Sequence, residues 1–488
     1  MRQGRAVRAR RCGVSHCEDR QGDGRWYAGR RCIVSAAQNE LLERATRVVE
    51  RAQRAGADVA EATARQGSHL SAKVRMREPE LVEEAGSRSV GLRVMISQQV
   101  AVTYTSDLST RGLDRLVDDA IELARLSEAD PFAGPPDPSQ LSDEREHVEL
   151  KLYDPNMGDV GSGAALARAT AGEAAALGAS SRITNSDGAT FTRASGSSVL
   201  VTSGGFTGTS RGTYASLVVR PVAEDEDGKK RAGGYWAARR HLAALEGAAA
   251  VGEEAARRTL RKLGATKLDT TELPVVFDPD AGRAILGLVA GCVRGGAIWR
   301  KSSYLAGRLH SKVASNLVTI VDDPLIPRAP GSRAFDGEGL LSRKNVVIDK
   351  GTLETYLLDS YSARKLELKS TASASRGASG GVGASTSNFI LQRGDSTVDD
   401  LLGSTKRGLY VTEMMGFGFN AVTGDFSRGA AGFLIEDGEL TRPINEVTIS
   451  LPLDDLLSRI DAIADDLDQR TAIATPTFRV SSMTIAGR

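Results

Sequence analysis

Five histidines and four cysteines are the strong metal donors in this 488-residue chain, and their spacing builds no site. His16, His69, His147, His241 and His310 stand apart from one another, and no two share a helix face. H-E-x-x-H and its variants are absent, so no stretch reads as a zinc helix. No G-x-S-x-G elbow stands at a strand–helix junction, which removes the usual serine hydrolase. The Gly-rich 377-GASGGVGAS-385 has no Lys and no helix pattern behind it, unlike a phosphate loop. The most pointed stretch is 276-VFDPDAGRAILGLVAGCVRGGAIW-299. It reads as strand, turn and helix, a common mount for catalytic groups. Yet Ala284 to Val293 offers only Ile, Leu, Val, Ala, Gly and one Cys. Cys292 has apolar neighbours and no His close in sequence, so it reads as a buried structural thiol.

Three polar, Gly-framed segments remain: 322-DDPLIPRAPGSRAFDGEG-339, 373-SASRGASGGVGASTSN-388 and 415-MGFGFNAVTGDFSRGAAG-432. Open backbone and small hydroxyls suit the holding of an extended peptide by strand addition. They suit ordered surface turns equally well.

The elements that must position these segments follow from periodicity. "NELLERATRVVERAQRA" (39–55) has helical spacing and ends at Gly56. "DVAEATARQ", "HLSAKVRM", "SVGLRVMIS" and "QQVAVTYTS" read as four strands between turns, and "LDRLVDDAIELARLS" as a second helix. "DPFAGPPDPSQLSDE" is a linker or long surface loop. The grammar then repeats: a helix in "ALARATAGEAAALGA", strands through "ATFTRASGSSVLVTSGGFTGTSRGTYASLVVRPVAED", a helix in "GAAAVGEEAARRTLRKL". Past Gly264, apart from the helix above and "VDDLLGSTKRG", the chain reads as hairpins. "VVIDKGTLETYLLD" (346–359) and "FLIEDGELTRPI" (433–444) share one pattern, with Gly351 and Gly438 expected at positive φ. The fold class expected is α+β. The expected domains are 34–135, 136–265 (a possible duplicate of the first) and a β-rich 266–488.

Composition fits a soluble globular protein: 41% hydrophobic, 26% charged, net charge +1. Whole-chain charge therefore argues for neither nucleic acid nor membrane, and no apolar run approaches a membrane helix. Fifty-two glycines against 5% aromatics point to many hairpins and close backbone approaches. Residues 1–33 differ, with nine Arg against three acidic residues. They lack the apolar stretch of a signal peptide. The spacing of Cys12, His16, Cys17 and Cys32 fits no common zinc pattern. A disordered or mis-assigned leader is expected, with the start near Val34 and the chain in a reducing cytoplasm.

The later segments resemble the TldD/PmbA (modulator of DNA gyrase) family, and its PmbA/TldE branch in particular. "VTIVDDPLIPRAPGSRAFDGEG", "LLDSYSARKL", "GASTSNFIL", "GLYVTEMMGFGFNAVTGDFSRGAAGFLIEDGEL" and "EVTIS" occur in the family's order and cover most of 272–450. With "GLRVMISQQVAVTYTSDLS" and the first helix, the resemblance spans about 36–488. In the TldD branch the helix after the "PVVF"-like strand carries H-E-x-x-x-H, which with a downstream Cys holds a catalytic zinc. Here the corresponding positions are Leu286, Gly287, Gly291 and Cys292, and no Cys follows Cys292. The resemblance therefore implies a metal-free subunit, with no catalytic residue and no cofactor of its own. It implies a TldD-like zinc protease partner in a heterodimer that degrades unfolded peptides or trims precursor peptides. In that partner, zinc would polarise the scissile carbonyl and the motif Glu would activate water.

In this chain the candidates for the peptide groove or the partner interface are Asp336, Ser385, Ser387, Asn388, Asp425 and Arg428. Asp425 and Arg428 are expected to pair and pin a loop, with Gly424 and Gly429 allowing its turns. Asn388, with Ser385 and Ser387, is expected to hydrogen-bond backbone, and Asp336 to anchor a loop. For each, fold maintenance and contact both stay open. Two rival readings accompany this one: a self-sufficient metallopeptidase, alone or as a homodimer, and a peptide-binding scaffold without a protease.

Overall fold

The computed structural model describes residues 36–226 and 228–487, so the expectations for residues 1–33 and for a start near Val34 lie outside the described residues. Helix α1 (Ala36–Arg54) is followed by β1 (Val59–Arg75), β2 (Glu78–Ile96), β3 (Gln99–Thr105) and α2 (Thr110–Leu126). A second unit follows: α3 (Ser162–Gly178), β4 (Ile183–Thr202), β5 (Thr207–Glu224), β6 (Lys230–Ala232), β7 (Tyr235–Arg239) and α4 (Ala248–Leu260). Both units read helix–hairpin–helix, and all seven strands form one sheet in the order β3-β2-β1-β4-β5-β6, with β7 on β5. Gly56 closes α1 at φ 101°, and Ser109 caps α2 by accepting from the Gly112 N–H.

Two of the strands expected in the first unit are one. "DVAEATARQ" and "HLSAKVRM" merge into β1, and the Gly67–Ser68 step read as a turn runs straight through it. Gly67 lies opposite Gly196 of β4, where a side chain would meet the Ser195 carbonyl at 3.2 Å. A glycine in mid-strand here marks close backbone approach rather than a break. β2 likewise begins at Glu78, well before the "SVGLRVMIS" run. The hairpin between β1 and β2 turns at Met76 and Arg77, both at positive φ; their N–H groups bond the buried Glu173 carboxylate of α3 at 3.0 and 2.6 Å.

Alternation along β1 assigns its two faces. Ala60, Ala62, Ala64, Leu70, Ala72 and Val74 lie in the two apolar clusters beneath the helices. Glu61 and Arg65 point the other way and meet the C-terminal half. The sheet is thus a middle layer.

In the C-terminal half, β8 (Thr271–Phe277) leads directly into α5 (Pro279–Cys292). β9 (Ile320–Asp322), β10 (Asn345–Asp349), β11 (Thr352–Leu353), β12 (Ala374–Arg376), β13 (Val382–Ala384) and β14 (Phe389–Leu391) follow. The last strands are β15 (Arg407–Met415), β16 (Ser427–Glu436), β17 (Glu439–Ser450), β18 (Ile460–Ile463), β19 (Ile473–Ala474) and β20 (Phe478–Ala486). One sheet runs β17-β16-β15-β8-β20-β18, and β17 pairs again with β20, closing five strands into a ring. A second runs β11-β10-β9-β14-β19. The two rhyming hairpins turn at Lys350–Gly351 and Asp437–Gly438, all four at positive φ, the geometry that matches strand twist. The whole is α+β.

Candidate functional site

The start of helix α5 is set by its sequence. Asp278 caps it by accepting from the Ala281 N–H at 2.7 Å, and Pro279 fills the first turn. Burial drives the Asp278 pKa up to about 7, with nearby Asp280 adding to the shift; Arg258 and Arg283 oppose it. Ala281, Ile285, Leu286, Val289, Ala290 and Cys292 sink into the C-terminal core. Gly282 packs under the Phe478 ring, where a methyl would come within 2.8 Å.

The four positions singled out on α5 therefore part company. Leu286 and Cys292 are core residues. Burial pushes the Cys292 thiol up to about 11, against a hydrogen bond with Ser303, so it is neither thiolate nor ligand at neutral pH. Gly287 and Gly291, one turn apart, share a half-exposed face. A side chain at Gly291 would meet nothing within 4 Å, and one at Gly287 only Ile473 at 3.8 Å. From Pro279 to Trp299 there is no His and no Glu; Asp280 is tied to Arg258, Arg283 and Arg470 and Cys292 is buried at the other end, so no register of the helix supplies a set of zinc donors. Among the described residues no three His, Cys, Asp or Glu side chains converge as a metal site. A catalytic zinc does not fit this helix.

The residue nearest the glycine face is Ile473 of β19; β15, which also packs on α5, is parallel to β8 and runs past its end. Its end carries an apolar loop: Met415 and Val422 are half-exposed and Phe417 is 99% exposed. The loop is nevertheless pinned from below, by bonds from the Tyr304 N–H to the Ala421 carbonyl at 2.7 Å and from Leu453 N–H to Gly424 carbonyl at 2.8 Å. Gly424, at φ 81°, lies against the Tyr304 ring.

The expected Asp425–Arg428 pair does not form. Asp425 is exposed and accepts from the Thr423 hydroxyl at 2.5 Å, while the Arg428 Nε is buried without a partner. Residues three apart in extended chain point to opposite sides, so this spacing separates the two charges. Gly429 is no turn residue either; it sits within β16, opposite Met415 of β15.

Asp336, Ser387 and Asn388 are buried in a polar knot that sews 322–339 to 385–388. Asp322 accepts from the Ser387 N–H at 2.6 Å and hydroxyl at 2.9 Å. The Asn388 amide accepts from Gly331 N–H at 2.8 Å and donates to the Asp323 carbonyl at 2.7 Å and the Ser332 hydroxyl at 2.8 Å. Asp336 accepts from the N–H groups of Glu338, Leu340 and Ala374 at 2.9–3.0 Å. Glu338 accepts from the N–H and hydroxyl of Ser360. Burial raises the pKa of Asp322, Asp336 and Glu338, and the Asp336 charge adds to the rise at Glu338. Ser385 is half-exposed, its N–H on the Ser373 carbonyl at 2.8 Å.

Sequence reasoning missed the group that joins the halves. Glu61 of β1 is buried between Arg93 at 3.1 Å and Arg376 at 2.8 Å. Burial works against this carboxylate, but Arg376 and Arg93 outweigh it and hold the pKa below the ordinary range. The tip of the β12–β13 hairpin lies on Gly91 of β2, where a side chain would strike the Ala378 carbonyl at 2.6 Å. The Gly-rich 377–381 is thus spent on packing against the sheet. The only signal in the sequence was Arg376 standing alone amid Gly and Ser.

The matches to known proteins follow this architecture end to end. Residues 60–124, 156–263 and 270–487 match domain 1, the central domain and the C-terminal domain of the PmbA/TldA metallopeptidases. A metalloprotease PmbA homolog of Haemophilus influenzae is 33% identical across 93% of this chain and 98% of its own length. The chain belongs to the PmbA/TldD metallopeptidase family. The metalloprotease PmbA of Escherichia coli O157:H7 is also 33% identical, over 93% and 97% of the two chains. A protein of Bacteroides thetaiotaomicron described as a candidate modulator of DNA gyrase superposes with TM-score 0.86 at 25% identity, covering 93% of this chain and all of that one. The TldE crystal structure from Thermococcus kodakarensis shares the fold, with TM-score 0.81 at 20% identity over 91% of this chain. No helix of the described residues is long and apolar enough to cross a membrane.

Proposed function

We propose that this chain is the non-catalytic, TldE/PmbA-like subunit of a cytoplasmic heterodimeric zinc protease. It helps to bind and thread unfolded or precursor peptides for a TldD-like partner that holds the zinc. The observation that carries this is α5: in a metallopeptidase family, the helix after β8 keeps its fold and its buried face but has neither His nor Glu, leaving only the ion-paired Asp280 and the buried Cys292. Its smooth glycine face and the braced Met415–Val422 loop offer backbone approach and apolar contact, which suit an extended chain or a subunit surface. They supply nothing that would ionise water.

The test is a tagged pull-down of the full chain from its own cells, with metal analysis and peptidase assay of the eluate. Co-elution of an H-E-x-x-x-H chain, about one zinc per pair and activity only in the pair are expected. Phe417→Asp should weaken that association while leaving the chain folded, since the side chain it replaces touches solvent only. The second reading, a self-sufficient metallopeptidase, rests on the metalloprotease names of the 33%-identical relatives. Stoichiometric zinc and peptide cleavage by the lone chain would establish it instead.

A further inference from the structure

A crevice of about 380 Å³ opens on the seam where β5 and β7 meet the loops 326–330 and 467–470. Its charges do not balance. Arg470 is neutralised by Asp468 at 2.6 Å, and Arg239 reaches Glu246 only at 3.7 Å. Arg240 spends its bonds on three carbonyls, those of Ala329 at 3.0 Å, Pro330 at 2.5 Å and Thr213 at 3.4 Å, and on no carboxylate. Two of its five donors are left over. Arg328 is exposed, and among the described residues its side chain has no partner. Its backbone sits at φ 61°, held by a bond from its N–H to the Leu150 carbonyl at 2.8 Å.

Apart from Gln469, the remaining lining is apolar: Ala238, Ile326, Pro327, Ala329, Pro330, Leu467 and the ring of Tyr214. A bare inorganic anion gains nothing from such walls. A carboxylate borne on a carbon chain uses both the cations and the walls.

We propose that this crevice binds a peptide carboxylate, with Arg328, Arg240 and the weakly paired Arg239 taking the charge and the Ile326–Pro330 wall packing on the carbon chain. The carboxylate comes from a Glu or Asp side chain or from a peptide C-terminus. The choice of a peptide rests on the function proposed above; the charge imbalance does not.

Isothermal titration of the purified full chain tests it with three probes: an acetylated and amidated Ala-Glu-Glu-Ala, tri-alanine with a free C-terminus, and inorganic phosphate. Saturable binding of the first assigns the site to acidic side chains, and of the second to C-termini. In either case Arg328→Ala should weaken binding about tenfold, and the Arg328→Ala/Arg239→Ala double variant more. Both side chains are at least partly exposed, so the fold should persist, and circular dichroism checks that. No saturable peptide binding, binding indifferent to Arg328→Ala, or phosphate binding as tightly as the peptides would each overturn the proposal. Since the titration uses neither partner nor peptidase, its failure leaves the pull-down result standing, and the reverse holds too.

Discussion

Helix α5 and the knot at 322–388 invert the usual expectation about polar residues. The knot gathers Asp322, Asp336, Glu338, Ser387 and Asn388, the side chains most suggestive of chemistry, and buries them in bonds to their own chain. The Gly287–Gly291 face of the helix and, separately, the Met415–Val422 loop carry only glycine and apolar groups at the surface, yet these are left open. Polar residues in the interior are retained because each satisfies backbone that a loop-rich half would otherwise bury unpaired. An open surface that handles backbone needs no such groups.

That contrast can be broken at the joint between the halves first. Glu61→Ala leaves Arg93 and Arg376 buried without a counter-ion and should cost about 3–5 kcal/mol, read as a lower urea midpoint. An unchanged midpoint would mean that the other bonds across the joint, such as those of Arg65 and Arg240 to carbonyls of the C-terminal half, hold it without Glu61. Within the knot, Asn388→Ala strands the Gly331 N–H and the Asp323 carbonyl and removes a donor from the Ser332 hydroxyl, which keeps its bond to the Ile326 carbonyl. It should cost about 2–4 kcal/mol and expose 322–339 to limited proteolysis. If instead the fold is untouched and only peptide binding falls, Asn388 belongs to a binding surface.

The cap of α5 gives a pH-dependent test. Burial raises the Asp278 pKa from 3.8 to about 7, so the folded chain holds a proton that the unfolded chain releases. The stability tied to this group is full below about pH 4 and is lost as pH rises through 7. Asn still accepts from the Ala281 N–H but cannot ionise. Asp278→Asn should therefore match the parent near pH 4 and exceed it at pH 8 by on the order of 4 kcal/mol. Equal stability at both pH values would show that the carboxylate is solvated.

The smallest effect belongs to the open face. Gly291→Ala meets no atom within 4 Å and relieves a helical glycine, so it should stabilise by about 0.5–1 kcal/mol. A loss of partner or peptide binding without a loss of stability would show that the bare backbone there is what a ligand touches.

Much of this was legible in the sequence. Helices α1 and α2 follow from 3.6-residue periodicity, Gly56 marks the end of the first, and Gly351 and Gly438 announced their turns. The absence of donors on α5 was also plain, because a helix displays its own residues whatever surrounds it. Asp425 and Arg428 misled because proximity in sequence was read as proximity of side chains, and extended backbone sends them apart. What only the tertiary structure decided are the contacts between distant segments. Glu61 finds Arg376 across 315 residues, Gly67 continues a strand because Gly196 lies opposite, and 377–381 lies against Gly91 instead of lining a groove. Local propensity and composition act within a few residues, whereas burial and pairing depend on what the fold brings to the same place.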